Sequence, residues 1–149
     1  MRAVVQRVRS AKVEVGADTV GAIGPGLVAF VGTAKGDTEQ DLEYVAEKIV
    51  GLRIFSDAAD KMNLSVLETG GSVLLVSQFT VYGDVRRGRR PGFDGAMAPA
   101  EARQMYDRFV DRVRSRGVPV ATGRFQAHMN VLVDNDGPVT ILIDSAKLF

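Results

Sequence analysis

The sequence predicts an α+β domain in which two amphipathic helices cover one side of a largely antiparallel or mixed β-sheet. Three observations lead there: strand-like runs outnumber helical ones, two stretches repeat apolar residues at helical spacing, and most connections are short. At 149 residues and 46% hydrophobic content, the chain fits one domain, residues 1–149, with enough apolar residues for a substantial core.

The first third reads as strands and turns. RAVVQRVRSAKVEVG is followed by a turn near Ala17-Asp18, then VGAIG, a Gly24-Pro25-Gly26 turn and GLVAFVGTA. Gly21, Gly24 and Gly26 are spaced like a phosphate loop, but a strand run follows them instead of a helix start, so no cluster of amides would point at an anion. Thr38 to Val50 opens on a capping Thr with Glu39 and Asp41 behind it, and Leu42, Val45, Ala46, Ile49 and Val50 form one apolar stripe. A second helix opens at Pro99, a favoured first helical position. It carries Ala102, Met105, Tyr106, Phe109, Val110 and Val113 up to Gly117. Between the helices, GLRIFS and SVLETGGSVLLVSQFTVYG read as strands with a Gly70-Gly71 turn, and HMNVLVD and PVTILID close the chain.

Composition narrows the chemistry. With 19 Lys+Arg against 18 Asp+Glu, no whole-molecule field marks nucleic acid or membrane as partner, so a polyanion site must be local. The absence of cysteine and the single histidine, His128, exclude disulfides, thiol nucleophiles and thiolate metal sites, and leave too few soft ligands for zinc. No metal motif is present. The N-terminal run is broken by Gln6, Arg7, Arg9 and Lys12, unlike a secretory signal, and no apolar run approaches the roughly 20 residues that span a bilayer. The expectation is a cytoplasmic protein, in which Asn63-Leu64-Ser65 is a chance glycosylation sequon.

Three stretches could carry chemistry. VLLVSQFT, Val73 to Thr80, is apolar on both faces in its first half, as a doubly buried strand would be, and then turns polar. Strand periodicity puts Gln78 and Thr80 on the face of Leu74 and Val76, with Ser77 and Phe79 opposite. Buried polar groups there need partners, because an unpaired one costs ~1 to 3 kcal/mol; strand-end hydrogen bonding and a pocket lining both satisfy this. A hydroxyl nucleophile would need a base, and only His128 is available. Arg86, Arg87, Arg89 and Arg90 stand in a Gly- and Pro-containing loop, where guanidinium forks suit phosphate oxygens; pairing with Asp84 and Asp94 in a solvated loop is the alternative. In NDGPVT, Gly137-Pro138 interrupts two apolar runs. Proline has no N–H for a sheet ladder, so this is either a turn or a placed piece of backbone; a trans bond is the ordinary case, and a cis bond would re-aim the neighbouring carbonyls.

These stretches together resemble the D-aminoacyl-tRNA deacylases. The matching segments run the whole chain: MRAVVQRV, YVAEKIVGLRIFSDAADKMNLSV, GGSVLLVSQFT, RRGRRPGF, TGRFQAHM and VDNDGPVTILID. The paired SQFT and NDGPVT signatures are the most specific. The resemblance implies a barrel-like sheet and a cytoplasmic homodimer with its active sites at the subunit interface. It implies hydrolysis, without cofactor, of the ester joining a D-amino acid or glycine to the terminal ribose of tRNA. By position, Ser77, Gln78, Phe79 and Thr80 would form the pocket for the terminal adenosine and the ester, with main-chain N–H groups near Phe79 as oxyanion donors and Met129 and Arg7 in support. Gly137 and Pro138 would form a Gly-cisPro element reaching into the other subunit's site and rejecting L-amino acids by collision. Nothing is inferred from Gln126 or His128. The alternatives are a tRNA-binding module that uses the arginine run without catalysis, and a hydrolase of small D-amino esters.

Overall fold

The computed structural model describes residues 1–149 as eight strands, two α-helices and one short 3-10 turn. The first half contains β1 (Arg2–Val15), β2 (Asp18–Ile23), β3 (Gly26–Gly32), α1 (Glu39–Gly51), β4 (Phe55–Ser56) and β5 (Met62–Leu64). The second half contains β6 (Ser72–Ser77), the 3-10 turn Phe79–Tyr82, α2 (Pro99–Ser115), β7 (Val120–Thr122) and β8 (Asn130–Asp144). The main sheet runs β2-β1-β3-β6-β7 with β8 on the other side of β1, while β4 and β5 form a separate hairpin. It is a mixed sheet: β3–β6 and β6–β7 are parallel, and the remaining pairs are antiparallel. The backbone of Thr122 on β7 lies against Gly21 on β2, so the sheet curls into a nearly closed barrel.

The two helices lie on one side for a topological reason. Parallel neighbours need a crossover, and α1 sits in the β3-to-β6 connection while α2 sits in the β6-to-β7 connection. Successive crossovers of one hand that step in one direction deposit their helices on the same face. The larger core cluster, of 23 residues, joins the buried stripes of both helices to Leu27, Ala29 and Val31 of β3 and Val73 and Leu75 of β6. The intervening Val28, Leu74 and Val76 belong to a second cluster of 6 on the opposite face, with Val8, Ala11 and Val13 of β1. β3 and β6 are therefore buried on both faces, as the continuous apolar runs imply. Both helices start as their sequences indicate: the N–H and hydroxyl of Thr38 each donate to Asp41 Oδ2 at 2.8 Å, and Pro99 occupies the first turn of α2.

The structure refines the expected strands. β6 ends at Ser77, so Gln78 and Thr80 do not continue the face of Leu74 and Val76. The N–H of Gln78 makes the last bond to β3, donating to the Val31 carbonyl at 2.8 Å, and the chain then coils into the 3-10 turn. The two C-terminal runs are one strand, β8, bridged by an irregular insert: Gln6 pairs with Thr140 and Val8 with Asn135, so Arg7 alone stands opposite Asp136 to Val139. The Gly137-Pro138 bond within that insert is cis. β5 and β7 are additional strands, each three residues long, and the stretch from Ser65 to Thr69, expected as a strand, is a turn in which the Thr69 N–H donates to the Ser65 carbonyl at 3.2 Å.

No helix is long and apolar enough to cross a membrane.

Candidate active site

The end of β6 delivers Ser77, Gln78 and Phe79 to one cavity of about 660 Å³. Its far wall is Phe93, Met97 and the first turn of α2, and its side is the irregular segment from Phe125 to Met129 ahead of β8. The lining is mixed but predominantly apolar, as in pockets that seat a ring or side chain and fix it with a few polar groups. Gln78 donates from its side-chain amide to the Thr80 hydroxyl, a bond that bridges the start of the 3-10 turn. The N–H groups of Phe79 and Thr80 open that turn and find no acceptor within it, a pair of donors of the kind that holds developing negative charge on oxygen. Phe79 is 56% exposed, which is costly for an aromatic ring without a ligand or partner over it.

The turn is held from below. Arg2 donates from Nε to Asp144 Oδ2 at 2.9 Å, its guanidinium lies 4.6 Å from the Tyr82 ring centre, and it reaches the Val81 carbonyl at 3.4 Å. Burial pushes the Tyr82 phenol well above its ordinary range, so it stays protonated at any working pH and acts as a fixed wedge, not as a base.

Arg7, Gly137 and Pro138 form a second group. Neither Gly137 nor Pro138 lines the cavity of its own chain, and both are exposed. Arg7 sits beneath them, donating from Nε to the Asp136 carbonyl at 3.0 Å and from Nη1 to the Ile54 carbonyl at 2.6 Å. Asn135 closes the insert: its Oδ1 accepts from the Val139 N–H at 2.9 Å and its Nδ2 donates to the Val139 carbonyl at 3.3 Å. Residues 136 to 139 have no ladder partner, so the Gly137 and Pro138 carbonyls take no part in the β1–β8 ladder. The structure thus brings Ser77, Gln78, Phe79 and Met129 together, places Thr80 at their edge, and sets Arg7, Gly137 and Pro138 apart on a projecting insert.

The arginine run forms a third feature. Asp84 and Gly92 exchange backbone hydrogen bonds at 2.8 and 2.9 Å and close a loop. Arg86 is spent on Asp84, donating from Nε at 2.9 Å and from Nη2 at 2.7 Å, and these bonds with the Arg86 N–H hold the Asp84 carboxyl down to about 2. Arg87, Arg89 and Arg90 are exposed and make no ion pair. Phe93 and Phe125, to which the sequence assigns no role, and Gln126 and His128, from which nothing is inferred, also line the cavity. His128, the only base the sequence offers a hydroxyl nucleophile, reaches the cavity but makes no hydrogen bond to Ser77 or Thr80.

The sequence model of one family, D-Tyr-tRNA(Tyr) deacylase, matches residues 4–144. Curated relatives called D-aminoacyl-tRNA deacylase include one from Sorangium cellulosum, 62% identical over 150 residues and the whole of both chains. Another, from Symbiobacterium thermophilum, is 60% identical over 149 residues, covering 100% of this chain and 99% of its own. Among solved structures, c-Myc DNA Unwinding Element Binding Protein superposes with a TM-score of 0.93 at 39% identity, covering 97% of this chain and 98% of its own. A probable eukaryotic D-amino acid tRNA deacylase superposes at 0.81 with 19% identity, covering 96% of this chain and 98% of its own, and shares the fold. The class is that of hydrolases acting on aminoacyl-tRNA esters. Within it, the chain belongs to the D-aminoacyl-tRNA deacylase family.

Proposed function

We propose that this chain cleaves the ester of D-aminoacyl-tRNA, and of glycyl-tRNA mischarged on tRNA(Ala), as a cytoplasmic homodimer in which the Gly137-Pro138 insert of one copy enters the Ser77–Phe79 cavity of the other. The observation that carries it is a separation: the cavity offers free N–H donors but no shape selector, while the insert offers free carbonyls but no cavity. Two copies complete each other. The outer edge of β8 pairs with no strand and exposes Leu132 and Leu142 on either side of the insert, which suits it to contact with a second copy.

In this reading the terminal adenosine and ester occupy the cavity, the Phe79 and Thr80 N–H groups hold the oxyanion, and the partner's Gly137 and Pro138 carbonyls accept from the substrate's α-ammonium. A D side chain then points to open space and an L side chain meets main chain, so selection rests on exclusion and leaves the side chain's identity free. Water attacks, positioned by the neighbouring ribose hydroxyl, and the protein supplies orientation and the oxyanion site. The absence of a base hydrogen-bonded to either hydroxyl supports water over Thr80. The resemblance implies no cofactor.

The test is deacylation of tRNA charged with D-tyrosine, L-tyrosine and glycine, beside free D-tyrosine ester. Cleavage of the D- and glycyl-tRNA with the L-charged tRNA intact is the expected result. Tight salt-sensitive binding without cleavage would instead mark an RNA-binding module, and equal cleavage of the free ester would mark a small-ester hydrolase.

A further inference from the structure

We propose that the arginine loop is coupled to the cavity, so that RNA backbone phosphates seated on Arg87 and Arg90 accelerate turnover as well as binding. This rests on the aminoacyl-tRNA reading above and adds to it a division of labour among the arginines and a route from the loop to the reacting ester.

The loop and the 3-10 turn form one mechanical unit. Gly83, the residue joining them, donates its N–H to the Thr80 carbonyl at 2.9 Å. A methyl built on Gly83 would lie 3.2 Å from the Phe93 ring and 3.4 Å from Pro91, so the outgoing and returning arms of the loop are in close contact at this point. Phe93 then meets Phe79 edge-on, with ring centres 5.0 Å apart and planes at 68°, and both rings line the cavity. Beyond Phe93 the chain is tied to the end of β3: Lys35 donates to the Gly95 carbonyl and Met97 to the Thr33 carbonyl, each at 3.0 Å. A force on the loop is thus passed to Phe93 and Phe79 and not dissipated along a free tail.

The charges are arranged for an extended anion. Arg87 and Arg90 line a groove of about 570 Å³ that has no hydrophobic lining residue. Arg86 lines it too but is neutralised by Asp84, and Asp94 opposes the remaining charge only in part, with Arg89 unpaired alongside. Arg86 is therefore the loop's internal strut, and Arg87 and Arg90 are the phosphate ligands. A polynucleotide whose 3′ end fills the cavity has its next phosphates outside it, and remote binding energy of this kind serves to fix geometry at the reacting centre.

The experiment compares kcat on D-tyrosyl-tRNA with kcat on D-tyrosyl-adenosine, taking the ratio, in wild type, Arg87→Ala/Arg90→Ala, Phe93→Leu and the triple variant. The expected result is a ratio well above one in wild type and at least tenfold lower in the double variant, with the triple variant falling no further than the lower of the other two. A double-variant ratio equal to the wild type's, or losses that multiply in the triple variant, overturns the coupling. If wild type cleaves neither ester, the underlying reading fails and takes this inference with it; cleavage of both with an unchanged ratio sinks the coupling alone.

Discussion

Arg7 on β1 donates from Nε to the carbonyl of Asp136 at 3.0 Å, and is the single residue that faces the four-residue insert of β8. Its side chain is only 13% exposed and also bonds the Ile54 carbonyl, so it ties the insert to the segment after α1. Hydrogen bonds from a charged group contribute ~1.5–3 kcal/mol each, so losing both in Arg7→Met is expected to lower stability by about 3–6 kcal/mol and to cost more in kcat/KM than the stability loss explains. Chemical denaturation paired with single-turnover deacylation checks this, and Arg7→Lys should recover stability better than activity, because an ammonium cannot span both carbonyls as a guanidinium does.

Gly137 has φ +143, and a Cβ there would lie 2.7 Å from Val139 Cγ2 and 2.9 Å from the Val139 nitrogen. Gly137→Ala therefore deforms the insert, with an expected cost of ~1–3 kcal/mol and an approximately hundredfold or greater loss of deacylation. Subunit mixing separates this from misfolding. In the proposed dimer, a Gly137→Ala chain combined with a Phe79→Ala chain should regain activity, since the mixed pair would hold one intact site. Failure to complement, with dimers present by sedimentation, would place the two residues in the same site of the same chain.

Each element is legible in the sequence as far as its local signal reaches. α2 was legible because Pro99 and Gly117 bracket a 3.6-residue stripe, and β6 because an unbroken apolar run means burial on two faces. The turn at Phe79 was not, because the ladder stops where β3 runs out of partners: Val31 pairs with Ser77 and the next residues have no strand beside them. β7 is three residues set between Pro119 and Gly123, too short for any period to show. The wall from Phe125 to Met129 has no regular structure and includes Gln126 at φ +59, so its approach to the cavity is a tertiary fact. The insert itself was visible as a misplaced proline, while the Arg7 anchor depends on a pairing more than a hundred residues apart in sequence.

Thr80 tests the choice between hydroxyl and water as nucleophile. Its hydroxyl accepts from the Gln78 amide and has no base partner. Removing a covalent nucleophile costs up to about 10⁶ in kcat, whereas removing a hydroxyl that only orders a neighbour costs far less. Thr80→Ala should keep kcat within about tenfold of wild type in single-turnover assays on D-Tyr-tRNA, and above Gly137→Ala. A collapse in Thr80→Ala with an unchanged circular dichroism spectrum would favour the acyl-enzyme.

His128 is the one imidazole at the cavity, the side-chain type most often used as a general acid or base. It is exposed and bonds neither Ser77 nor Thr80, so it is expected to serve as rim, not as general base. General bases contribute about 10²–10⁴ in rate, whereas His128→Asn should lose less than tenfold in single-turnover assays on D-Tyr-tRNA. A loss of about a hundredfold or more in that variant, with an unchanged circular dichroism spectrum, would return histidine to the mechanism.

Acid should loosen the turns before it reaches the core. Hydrogen bonds from the Arg86 side chain and N–H hold Asp84 at about 2, N–H groups of Lys61 and Ala59 lower Asp57, and the N–H and side chain of Ser65 lower Glu68. Each folded carboxyl is more acidic than its unfolded counterpart at about 4, so each contributes stability that is complete above that pH and is lost as pH falls toward the folded value. The thermal midpoint is therefore expected to be insensitive to these groups from pH ~8 to 5 and to fall between pH ~4 and 2. Asp84→Asn keeps one acceptor for the Arg86 N–H but no charge, so its midpoint should lie below wild type at neutral pH and converge on it in acid. Parallel curves at all pH values would mean that the loop's neck does not depend on that charge.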